Sequence, residues 1–229
     1  MKFINQILFV IITGSMLLSC NSQSTINTDL KKELDAIMFT DQAFRRQYDP
    51  KMSEKERRDI ADSLNMDYDT MRKDLLVLMH KYDAENIKKI ETIIAKYGYP
   101  GKSLVGEPTN QAAFLVIQHS NKISEFLPIV KLAAENGELP FSLYAMMLDR
   151  HLMYKGEEQM YGSRGDERNG VAIIWPIKDA VNVNKLRKKA GFPETIEEYS
   201  KVLFGKDFIF KNYTLKEVEE MFAGQIIYE

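Results

Sequence analysis

Apolar side chains return every three or four residues along most of this chain, a period that suits α-helices and leaves little room for long strands. From Thr28 they fall at Leu30, Leu34, Ile37, Met38, Phe44 and Tyr48, one face of an amphipathic helix that Asp49-Pro50 ends. Ser53-x-x-Glu56 reads as a capping box opening a charge-rich, exposed helix over 53–74, after which Leu75, Leu76, Met79 and Tyr82 turn towards a core. Asp83 is expected to cap a helix with Ile87, Ile90, Ile93, Ile94 and Tyr97 on one side, stopped by Gly98-Tyr99-Pro100-Gly101. QAAFLVIQHS, residues 111–120, is apolar nearly all round and predicts a central helix. Further helices are expected over 122–136, where Pro128 should start or kink the turn, and over FSLYAMMLDRHLMYKG after Pro140. Three short ones follow near 182–190, 195–203 and 214–222, with Gly191 and Gly205 as stops and Thr214-x-x-Glu217 as a second capping box. MYGSRGDERNGVAIIWPI alone reads as extended, two short β-compatible runs about a charged turn. The expected fold is mainly α: one irregular multi-helix domain with a small β-hairpin or extended loop in its second half.

The amino terminus predicts an address. Residues 1–19 carry one charge, Lys2, and an apolar run from Ile7 to Ile12 too short to span a bilayer, which describes a secretory leader. The leader ends in Leu17-Leu18-Ser19-Cys20, which resembles the lipobox of bacterial lipoproteins. That resemblance implies cleavage before Cys20, acylation of its thiol and new amino terminus, and attachment to the membrane through the lipid. Residues 20–27 then form a small, polar tether and 28–229 the domain. Because the acidic tract by which some bacterial lipoproteins reach the cell surface is absent, the expected location is the outer membrane with the domain in the periplasm.

Cys20 is the single cysteine, so the mature domain keeps no thiol for nucleophilic, zinc or redox chemistry. The formal charge of −2 becomes −3 once Lys2 leaves with the leader, and no basic excess exists to neutralise phosphates of a nucleic acid.

Candidate chemistry gathers around Asp149-Arg150. Asp149 lies four residues after Ala145 and four before Met153, on an apolar row, and Arg150 shares a face with Met146, Met147 and Tyr154. Charges on such faces need partners, and neighbours on a helix point about 100° apart, so each should find its partner on another segment. Asp41 and Arg45 form a second pair on a core-facing stripe; His119 follows Gln118 at the end of the most apolar helix; Gln159 and Tyr161 come soon after Asp149. Pairing Asp41 with Arg150 and Arg45 with Asp149 would neutralise all four charges. Two readings of the group stand. It is a buried network that fixes helix register, or a polar cleft. In the cleft, Arg45 or Arg150 grips an anion, His119 or Asp149 moves a proton, and Gln159 and Tyr161 orient a ligand.

The spread of Asp41-x-x-x-Arg45, Asp83-x-x-Asn86, Tyr97-Gly98-Tyr99-Pro100, Gln118-His119, Asp149-Arg150 and Gln159-x-Tyr161-Gly162-Ser163 resembles an uncharacterised bacterial family. Its members carry a G-W-P turn, a Q-H pair and a D-R…Q-x-Y-G-T signature. Tyr99 stands for the tryptophan and Ser163 for the threonine, which keeps an aromatic ring and a hydroxyl. The resemblance implies shared sites without supplying a reaction.

Other motifs carry less. Arg164-Gly165-Asp166 reads as a charged turn, and His80, His119 and His151 lack metal-ligand spacing. Phosphate-binding, dinucleotide and nucleophile-elbow fingerprints are missing, so no cofactor is expected. The leading expectation is a lipid-anchored envelope protein that binds a small ligand or partner in a polar cleft. The alternatives are a hydrolase or transferase with His119 or Asp149 as acid/base, and a structural interaction protein.

Overall fold

A computed structural model describes residues 25–168 and 170–222. The leader 1–19, Cys20 and the first residues of the tether lie outside the described residues. Asn27 is the first residue fixed by visible contacts. Its N–H donates to the Leu104 carbonyl at 2.9 Å and its side chain accepts from Leu30 N, capping α1 (Thr28–Arg46).

The chain is mainly α, with eleven α-helices and one small two-stranded sheet among the described residues. The charge-rich stretch expected as one helix is two, α2 (Glu54–Ser63) and α3 (Tyr68–Lys73). Ser53 and Glu56 form the capping box, Asn65 adopts positive φ between the helices, and Asp67 caps the second. α4 (Leu75–Tyr97) then runs unbroken for 23 residues. Asp83 therefore caps nothing; it sits mid-helix, where its carboxylate turns towards α1. Leu76 and Tyr48, expected inward, are exposed at 53% and 58%, because the row that faces the core here is Leu75, Leu78, Met79 and Tyr82.

The short α5 (Lys102–Val105) leads to α6 (Ala112–Gln118), which buries Ala112, Ala113, Phe114, Val116 and Ile117, as its all-round apolar sequence requires. It lies against α1 and α4 on one side and α7 (Ile123–Glu135) on the other. α7 contains Pro128 within its span rather than at its start, and it pairs with α8 (Phe141–Tyr154). Leu34, Ile37, Ile90, Phe114, Ile117, Val130 and Met147 meet in this main core. Phe44, Ala61, Tyr68 and Met71 form a second one where α2 and α3 cover the junction of α1 and α4.

The second half is built on the hairpin of β1 (Gly165–Arg168) and β2 (Val171–Ile174). Arg164-Gly165-Asp166 is thus not a turn: Gly165 and Asp166 pair across the strands with Ile174 and Ile173. Alternation along β2 serves two clusters. Ile173 and Trp175 pack on α11 (Leu215–Met221), while Ile174 and Ile177 pack with Val183 of α9 (Val183–Ala190) and Ile196 of α10 (Ile196–Phe204).

Gly162 marks the tightest point of this half. Its φ is +69°, and a Cβ there would stand 2.5 Å from Ile196 Cδ1 and 2.9 Å from Ile177 Cδ1. Gly162→Ala should therefore destabilise the fold by about 2 kcal/mol or more through overpacking and left-handed backbone strain. Urea unfolding should show this as a lower midpoint at an unchanged slope.

Candidate functional site

The α1 stripe that packs Leu34 and Ile37 continues into Asp41, whose side chain is 1% exposed. An ionised carboxylate at that depth has to be matched by donors. Its Oδ1 and Oδ2 lie 3.2 and 3.1 Å from His119 Nδ1, Gln42 Nε2 donates at 2.6 Å, and an Arg45 amino group stands 3.4 Å away. His119 reaches this position because α6 ends there: it is the C-cap residue, and the chain turns through Ser120 and Asn121 before α7.

Arg45, one turn along α1, has its fork filled from inside the protein. Nη1 and Nη2 donate to the two oxygens of Asp83 at 2.9 and 2.8 Å, and Nη1 also donates to the Asp41 carbonyl at 2.6 Å. This bidentate pair ties α1 to α4 and explains why α4 tolerates a carboxylate on its inner side.

These groups open on a cavity of about 310 Å³. Arg45, Met79, His80 and Asp83 form one wall, and Gln118, His119, Ser120 and Asn121 the second. Arg150 and Tyr154 of α8 close the third. His119 Nε2 makes no hydrogen bond within the described residues, so the imidazole is held at Nδ1 and available at its other nitrogen. Arg150 donates one hydrogen bond, from Nη1 to the Tyr154 hydroxyl at 2.8 Å, and stacks near that ring at 5.7 Å. It has no ion pair among the described residues, and its buried Nε has no partner. Most of the five guanidinium donors are thus uncommitted. Nearby Arg164 is pushed down to about 10 by burial, with the charge of Arg150 adding to the shift.

The pairing of Asp41 with Arg150 and of Arg45 with Asp149 does not form. Asp149 is fully buried and faces the second half of the chain, where it accepts from Met160 N at 2.8 Å, Tyr161 N at 3.1 Å and Ser163 N at 2.9 Å. Burial pushes its carboxyl up, and these backbone donors pull it back. Gln159 belongs to the same knot. Its amide donates to the Arg164 and Trp175 carbonyls and accepts from Arg164 N. The Tyr161 ring lies 6.1 Å from Phe192, beside a separate pocket with Phe141 and Leu186. Of the sequence candidates, Asp41, Arg45, Gln118, His119 and Arg150 thus share one locus, whereas Asp149, Gln159 and Tyr161 build a loop beside it.

Sequence reasoning missed Asp83, His80, Asn121 and Tyr154 as members of the site. Asp83 and Asn86, one turn apart on α4, were legible as polar residues on an apolar row. Asn86 is indeed fully buried, and its Oδ1 lies 3.3 Å from the Thr40 hydroxyl. The exposed His80 carried no such signal. Among the described residues no group of three or more His, Cys, Asp and Glu is arranged to hold a metal ion, and no helix is long and apolar enough to cross a membrane.

The neighbours Asp149 and Arg150 should respond in opposite ways to removal. Asp149→Ala strands three backbone N–H groups and should cost about 3 kcal/mol or more. Arg150→Met, which deletes a charge with no carboxylate partner, should stay within about 1 kcal/mol of the parent. Denaturant titration of both variants checks the contrast.

A family model matches residues 28–211, while no curated protein and no solved structure matches the chain. The matched span contains every element that lines the cavity, from α1 to α8, together with the Asp149 knot and the hairpin. The chain belongs to the family of unknown function DUF6624.

Proposed function

We propose that the cleft between α1, α4, the end of α6 and α8 binds a small oxyanion, with Arg150 as its grip and His119 as the group that exchanges a proton with it. The observation that carries this reading is the split between two guanidiniums. Arg45 is saturated by Asp83 and the Asp41 carbonyl, whereas Arg150 meets the same cavity with most of its donors unused. Arg45 is then a brace for Asp41 and Asp83 rather than a ligand contact. Gln118 and Asn121, whose side chains make no hydrogen bond within the described residues, supply neutral orienting groups.

An acid–base enzyme is the second reading, favoured by the Asp41–His119 contact. A buried carboxylate on Nδ1 fixes ring orientation and tautomer and leaves Nε2 for the substrate, the arrangement that general-base chemistry needs. Water is the nucleophile in that case, because Ser120 Oγ already donates to the Ile117 carbonyl and accepts from Lys122 N. Asp149, sealed in its knot, takes no part.

Native mass spectrometry of the purified protein, first as isolated and then with added inorganic phosphate or acetate, tests the anion site. A bound anion that disappears in Arg150→Met at unchanged melting temperature supports it; binding that survives the substitution overturns it. Once a substrate is known, His119→Ala separates the two readings. An enzyme loses turnover by about 100-fold or more while keeping affinity, and a binding protein loses affinity alone.

The protein is held at the envelope membrane by acyl chains on Cys20 and works on the periplasmic side, a reading supported by Lys2, the Ile7–Ile12 run and Leu17-Leu18-Ser19-Cys20. Metabolic labelling with a fatty-acid analogue should mark the parent chain and leave Cys20→Ser unlabelled. Persistent label on the variant would sink the anchor.

A further inference from the structure

A second cavity, of about 710 Å³, continues from the first along α4. The two share His80, Asp83, His119, Ser120 and Asn121, so they form one trough with His119 at the junction. The character of the trough changes along its length. At one end stand Arg150 and Tyr154. Beyond His119 the floor is Ala84 and Ile87, three residues apart on one face of α4, with the exposed Lys88 beside them. At the far end Lys122 is held by Glu91 at 2.9 Å and by Glu125 at 3.0 Å, which closes that mouth with paired charges. From Asp83 to Glu91 the helix rises about 12 Å.

We infer that the ligand is not a bare inorganic anion but an amphiphilic one: its oxyanion sits on Arg150, its reacting or hydrogen-bonded centre faces His119, and an apolar arm lies over Ala84 and Ile87. This rests on the anion site proposed above. Order along the trough carries it. Charge complementarity places the anionic end at the half-buried Arg150 rather than at the exposed Lys88, the apolar floor starts at Ala84, the residue after Asp83, and the larger volume lies on the apolar side. An arm the size of an aromatic ring or short alkyl chain fills that floor, while the Lys122–Glu91 pair limits its reach.

Two probe pairs test it by calorimetry on the purified protein: methylphosphonate against phenylphosphonate, and acetate against phenylacetate. They also distinguish a phosphate-type from a carboxylate-type head. In the accepted class, the phenyl compound should bind roughly tenfold tighter or more. Ala84→Gln should abolish that advantage and leave the methyl compound's affinity unchanged. Ala84 is exposed on α4 and glutamine suits a helix, so the variant keeps the fold. Equal affinity for methyl and phenyl compounds in the parent would overturn the arm and spare the anion site. A phenyl advantage that survives Ala84→Gln places the ring elsewhere and also overturns it. Failure of all four probes to bind removes the anion site and this inference together.

Discussion

The buried carboxylate of Asp41 sets the geometry of the first half of the molecule. Removing an ionised carboxylate from water costs several kcal/mol, on the order of what a whole domain has to spare. The cost is offset by donors from two segments: Gln42 and Arg45 of its own helix, and His119 from the end of α6. Two of these have a second attachment that keeps them in place. Arg45 is fixed to Asp83 of α4, and His119 caps α6, the most deeply buried helix of the core. Moving α6 against α1 breaks the His119–Asp41 contact, and moving α4 against α1 breaks the Arg45–Asp83 pair beside it.

Asp149 and Arg150 show how two adjacent charges on a packed helix meet opposite fates. Successive side chains diverge by about 100°, so one residue is directed at the irregular loop 159–164 and the other at the cavity. Asp149 does by backbone hydrogen bonds what a counterion would do elsewhere, accepting from Met160, Tyr161 and Ser163. The loop in turn needs Gln159 to bridge the Arg164 and Trp175 carbonyls and Gly162 to pass under Ile196. Asp149-Arg150 and Gln159-x-Tyr161-Gly162 are therefore joined, but by architecture. The knot they form holds the last turns of α8, from which Arg150 faces the cavity.

Helical periodicity made most of the fold legible, because the phase of an apolar stripe follows from residue spacing alone. It also identified Asp41, Arg45, His119 and Arg150 as charged or polar groups that had to be satisfied. What it could not give was the partner. A stripe says which face of α1 turns inward, not which residue of α4 it meets, so Asp83 reads as a cap in the sequence and is the acceptor for Arg45 in the fold. Pairing the four charges among themselves failed for a related reason. Backbone N–H groups are present at every residue and leave no mark in the sequence, yet three of them satisfy Asp149 without any cation. The Arg-Gly-Asp stretch was misplaced because strand pairing with Ile173 and Ile174 outweighed the turn preference of glycine.

Arg150, on the far side of the cavity from Asp41 and Asp83, gives the site its polarity. Asp41, Asp83 and Arg45 together leave one negative charge on the α1–α4 wall, and Arg150 supplies one positive charge on the α8 wall. Arg164 stands close enough to feel Arg150, the Nε atom of each is buried without a partner, and the nearby Asp149 carboxylate is already spent on the loop. Holding two guanidiniums in this way costs Coulomb energy that a neutral ligand does nothing to lower, whereas an anion on Arg150 does. In the binding mode proposed above, an oxyanion on Arg150 would therefore stabilise the α8 wall as well as the ligand.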